Sequence, residues 1–121
     1  MVYRRRTFEL TDKVVSAFDK ARHNESLIYI SAATLWEIAI ISSLGHVKLK
    51  DRFDYWASGV LSMDGFEQMP LTVDAIHLGV GYGIHTDPFD KVIVATAVEL
   101  GLPLITKDVA ITESNLVEVY W

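Results

Sequence analysis

The chain has no cysteine, which removes disulfides, thiolate metal sites and a cysteine nucleophile and fits a reducing compartment. No run approaches the roughly 18–20 apolar residues that a membrane helix requires. Arg4, Arg5 and Arg6 are followed by no apolar segment of the kind a secretory leader carries. The expectation is a soluble, cytoplasmic protein with no membrane partner. Positive charge is also scarce: 11 Lys and Arg stand against 16 Asp and Glu, a formal net charge of −5, which argues against broad electrostatic binding of nucleic acid. Proline occurs only 3 times, and there is no linker-like stretch, internal repeat or low-complexity segment. A single continuous domain over residues 1–121 is therefore expected. A chain of this size buries about two thirds of its open-chain surface, enough for a core without covalent staples.

What is present is unevenly placed. Residues 1–24 hold six basic and three acidic groups, whereas residues 25–121 hold five basic and thirteen acidic ones. An acidic body concentrates a divalent cation, and a cation in turn holds a phosphate. Along the chain, helices alternate with short apolar strands. Thr11 or Asp12 caps a helix running to about His23, and Leu27 to Ile30 reads as a buried strand. Ser31 caps a helix over Ala32 to Ser43, with Gly45 as its stop. Asp51 to Met63 reads as a helix, Phe66 to Pro70 as a strand, and Thr72 as the cap of a helix toward Gly79. Asp87-Pro88 opens a helix to about Leu100 that Gly101 ends, and Leu104 to Thr106 and Val117 to Tyr120 read as strands. This alternation predicts an α/β layer fold with a mainly parallel sheet, whose sites form beyond the carboxyl ends of the strands.

Several acids do not fit a bland core. Between Ser26 and Gly45 the only charged residue is Glu37, whose helical neighbours are Ala33, Thr34, Ile40 and Ile41. An ionised carboxylate beside such a face needs a cation, a donor or a proton. Two readings stand: a site, or a solvent-facing or ion-paired carboxylate on a one-sided helix. Asp87 and Asp90 make a standard helix start, since both complement the orphan N–H groups and the positive end of the dipole. Thr106 and Asp108 fall at the carboxyl end of a predicted buried strand, where a turn cap is the competing role for Asp108. If Glu37, Asp90 and Asp108 converge, their oxygen donors suit Mg²⁺ or Mn²⁺ better than zinc. Phosphoryl hydrolysis is then the natural reaction class. The other candidates are weaker. His85 with Asp87 lacks a second local ligand pair, and His23, His46 and His77 read as surface residues. The serines lack a nucleophile-elbow context, and the glycines of GVGYG (79–83) follow no strand, so no phosphate loop is supported. Trp36, Trp56 and Trp121 read as core or interface anchors.

The strings SAATLWEIAIISSLG, FEQMPLT, HTDPFDKVIVATAVELGLPLITKD and VEVYW resemble the PIN-domain ribonucleases of the VapC toxin type, in order and over almost the whole chain from ELTDKV onward. The resemblance implies a three-layer α/β/α fold with a parallel sheet, Mg²⁺ or Mn²⁺ dependence, cleavage of RNA, homodimerisation, and inhibition by a small antitoxin protein. Residue by residue, Glu37 matches the acid of the family's WE motif, and Asp90 the acid opening the helix of its DxxIxA-type motif. Asp108 matches the acid of the T-[RK]-D motif, with Thr106 as a polar neighbour placed to orient substrate or a ligand. Asp87 matches an acid common in a DPFD subgroup, with a structural role.

One departure is marked. The family begins with an apolar strand ending in Asp, whereas MVYRRRTF (1–8) offers neither. The first strand and first acid are therefore expected to be missing, with Arg4 to Arg6 in a loop. Such a chain is expected to bind its ion weakly and to cleave RNA poorly. A non-catalytic protein that keeps an antitoxin or dimer interface is the alternative. A receiver-like domain is disfavoured, because the strand Leu27 to Ile30 leads into Ser31 and not into an acid.

Overall fold

The structure, a computed structural model, describes residues 10–84 and 87–121. The expectations of a missing first strand and of an Arg4–Arg6 loop fall outside the described residues, as does His85. Two compact units are distinguished, one ending at Met69 and one comprising Pro70–Trp121.

The first unit opens with α1 (Asp12–Arg22), where the Thr11 hydroxyl accepts the Val14 N–H at 3.3 Å. Asp12 in its first turn and Lys20 and Arg22 in its last complement the helix dipole. Val14 and Ala21, two turns apart on one face, are fully buried. Strand β1 (Ile28–Ser31) runs directly into α2 (Ala32–Ser43). Ser31 is at once the last residue of the strand and the cap of the helix, its Oγ accepting the Ala33 N–H at 3.1 Å. Helix α3 (Phe53–Leu61) then leads to β2 (Phe66–Met69), which pairs parallel with β1 from Ile28↔Phe66 to Ser31↔Met69. Parallel pairing requires a crossover, and α2 and α3 provide it. The core of this unit is Val14, Ala21, Ala33, Leu35, Ile38 and Ala57, with the Phe18 and Phe66 rings 5.9 Å apart. Gly65 allows the turn before β2 to pass tightly against α1. Its φ is +81°, and a Cβ there would lie 1.9 Å from the Ala21 carbonyl oxygen.

The second unit holds α4 (Val73–Val80), α5 (Pro88–Leu100), β3 (Leu104–Ile105), α6 (Val109–Ser114) and β4 (Val119–Tyr120). Thr72 caps α4 by accepting the Ala75 N–H at 3.0 Å, and its hydroxyl donates to Glu99 near the end of α5 at 3.1 Å. Burial together with the nearby Glu99 charge pushes the Tyr82 hydroxyl above its ordinary range. Ala75, Val94, Ala95, Thr96, Ala97 and Ile111 are buried, and the Thr96 hydroxyl is satisfied by donating to the Val92 carbonyl at 2.7 Å. Helix α5 ends at Gly101 with φ +64°, a left-handed C-terminal stop. Strands β3 and β4 pair parallel, Leu104↔Val119 and Ile105↔Tyr120.

The fold class is α/β with parallel strands, as the sequence predicts. Among the described residues the strands form two separate two-stranded sheets. Two expectations need correction. Strand β3 is two residues long, half-buried, and stops before Thr106. The stretch after Asp108 is a helix, α6, where the sequence reading has only a turn. Of the core and interface roles read for Trp36, its 57% exposure removes the core one.

Candidate functional site

Glu37 lies midway along α2 and is half-buried, flanked in sequence by exposed Trp36 and buried Ile38. Helix α2 carries no acid in its first turn and no base in its last, so the position of Glu37 owes nothing to the helix ends.

Asp87 and Asp90 are brought together by the start of α5. Asp87 is the cap: its Oδ1 accepts the Phe89 N–H at 2.9 Å, and its carbonyl accepts the Lys91 N–H at 3.4 Å. Pro88 follows at the first helical position, where its missing N–H costs nothing and its fixed φ suits the helix. Asp90 sits in the first turn. Both acids are half-buried, and each places a carboxylate oxygen within 4.8 Å of the other's. The donor atoms these acids offer are all oxygen, which suits a hard divalent cation such as Mg²⁺ or Mn²⁺. Asp87 caps α5 where the sequence reading places a helix start; the close approach of its carboxylate to that of Asp90 was available in the D-P-F-D spacing.

Asp108 has a different setting. Its N–H donates to the Thr106 hydroxyl at 3.1 Å, and its Oδ1 accepts the Ile111 N–H at 2.9 Å, making it the cap of α6. The Asp108 carbonyl also accepts from the Thr112 N–H at 3.1 Å and the Thr112 hydroxyl at 2.8 Å. Thr106 thus holds the backbone of Asp108 in place. Asp108 does not join Asp87 and Asp90 in a common cluster among the described residues.

No curated protein and no solved structure matches the chain. A family model described as the PIN domain matches residues 6–113. PIN domains are generally nucleases, hydrolases that typically use a divalent metal. The match spans most of the sequence and includes Glu37, Asp87, Asp90, Thr106 and Asp108, and on it the chain belongs to the PIN domain family.

Proposed function

We propose that the chain is a metal-dependent endoribonuclease that hydrolyses RNA phosphodiester bonds. In this reading it is the VapC-type toxin of a toxin–antitoxin pair, a cytoplasmic homodimer restrained by a small antitoxin protein. The observation that carries the nuclease reading is the family match over residues 6–113. Support comes from the Asp87 and Asp90 carboxylates, whose oxygens lie within 4.8 Å of each other. No helix among the described residues is long and apolar enough to cross a membrane.

Glu37, Asp90 and Asp108 are the carboxylates that would hold Mg²⁺ or Mn²⁺. A divalent ion so held supplies a water of lowered pKa and a counter-charge for the phosphate. Asp90 contributes a carboxylate placed by the first turn of α5, and Glu37 a half-buried one midway along α2. Thr106 sets the backbone of Asp108 and orients substrate or a ligand. Asp87 closes the start of α5.

The test is cleavage of a mixed RNA substrate by the purified chain with Mg²⁺ or Mn²⁺, with and without chelator, and by Asp90→Asn. Metal-dependent cleavage lost in the variant supports the reading. RNA left intact under every metal, with a stable dimer or an antitoxin complex, would mark a non-catalytic PIN-like binding protein.

A further inference from the structure

The turn of α5 that carries Asp90 is held by two contacts. One is with Gly79 of α4, where an added Cβ would lie 2.9 Å from the Lys91 carbonyl oxygen, 3.1 Å from the Lys91 carbonyl carbon and 3.3 Å from the Val92 Cα. These are backbone atoms, which cannot swing aside as the end of a side chain can. Only glycine therefore permits this approach without displacing α5. Lys91 directly follows Asp90, so the approach falls on the turn that presents the acid. The nearby glycines differ: a Cβ at Gly81 would meet only the Leu78 carbonyl oxygen at 3.5 Å, and one at Gly83 would meet nothing within 4 Å. The other is the Asp87 side chain, which ties the same turn by accepting the Phe89 N–H, while the Asp87 backbone carbonyl accepts the Lys91 N–H. The Thr72 bond to Glu99 secures α4 against the far end of α5.

We propose that Gly79 and Asp87 are positioning residues for Asp90, fixing the turn so that its carboxylate is pre-set for a hard divalent cation. This rests on the reading that Asp90 holds the ion. Magnesium-like ions accept ligand oxygens only in a narrow, near-octahedral shell, so a shift of a few tenths of an ångström in the turn lowers affinity before it lowers stability.

The experiment is titration of the full chain with Mn²⁺ alone, following the free aquo ion by electron paramagnetic resonance and the fold by circular dichroism. Gly79→Ala and Asp87→Ala are expected to stay folded and to lose Mn²⁺ affinity by about 10-fold or more. Asp87→Asn, which caps a helix as well as Asp does, is expected to lose less affinity than Asp87→Ala, and Gly83→Ala to stay within about threefold of the wild type. Wild-type affinity in folded Gly79→Ala or Asp87→Ala overturns the proposal. So does an Asp87→Asn loss equal to that of Asp87→Ala, because the charge and not the cap would then matter, making Asp87 a ligand. Should Gly79→Ala not fold, the Asp87 pair decides. Failure of the underlying reading looks different: Asp90→Asn would then bind Mn²⁺ as the wild type does, and the positioning role would fall with it.

Discussion

Helices α2 and α5 each carry one of the acids proposed to hold the cation, and they are built on opposite plans. Helix α2 is apolar on nearly every side, with Ala33, Leu35 and Ile38 buried and Trp36 and Ile40 exposed. Its one acid comes at mid-length, where the dipole gives no support. Helix α5 places Asp87 and Asp90 at its start, where cap, proline and dipole all favour negative charge. The position of Asp90 is thus explained by helix chemistry alone, whereas that of Glu37 is not. Glu37 is therefore the stronger pointer in the sequence, and Asp90 the better fixed of the two proposed ligands.

The largest expected effect is on activity. Asp90→Asn and Glu37→Gln should each lower Mn²⁺-supported RNA cleavage by on the order of 100-fold or more. Urea denaturation without metal should then separate the two plans. Asp90→Asn loses the dipole contribution, about 0.3–1 kcal/mol, and Glu37→Gln has no such contribution to lose. An equal dipole-sized loss in both would erase the distinction.

A second comparison sets the turn before β2 against the end of α5. Gly65→Ala combines a positive φ with a backbone clash at Ala21, and should destabilise the protein by roughly 3 kcal/mol or more. Gly101→Ala meets open space at φ +64°, and should cost about 1–2 kcal/mol of left-handed strain. Thermal melts of the two variants check the order.

The caps should have smaller effects. Ser31→Ala leaves the Ala33 N–H without its partner and should cost about 1 kcal/mol, whereas Asp87→Asn keeps the cap and should be near neutral by chemical denaturation.

The smallest effect is a pH dependence. The Asp54 carboxyl is held below the usual carboxylate range, mainly by its hydrogen bonds from Arg52, on a fully exposed pair. Because the folded value is lowered, its contribution is present above the ordinary Asp value of about 4 and is lost as pH falls through the lowered one. The melting difference between wild type and Asp54→Asn should therefore shrink on acidification, and added salt should shrink it further.

Helix starts and stops were the most legible part of this fold, because each depends on one or two neighbouring residues. Thr11, Ser31, Thr72 and Asp87 all cap where the sequence places them, and α2 has the predicted bounds. Elements set by distant partners were less legible. Strands β3 and β4 are two residues each, because a parallel ladder extends only as far as its partner runs. Helix α6 was hidden by its six-residue length, too short for an apolar period, although Asp108 is an ordinary cap for it. The approach of the Asp87 and Asp90 carboxylates follows from local spacing. The seat of Gly79 on α5 comes from tertiary packing and leaves no sequence pattern beyond an unexplained glycine.

The joint at Ser31 carries one more consequence. With no loop between β1 and α2, strand register and helix phase are geared together. A single residue inserted or deleted there must be absorbed either by the ladder, turning every side chain of β1 to the other face, or by the helix, rotating Glu37 through about 100°. Length changes at this point should be excluded from functional variants of the chain, while the stretch from His46 to Asp51, between α2 and α3, should accept them.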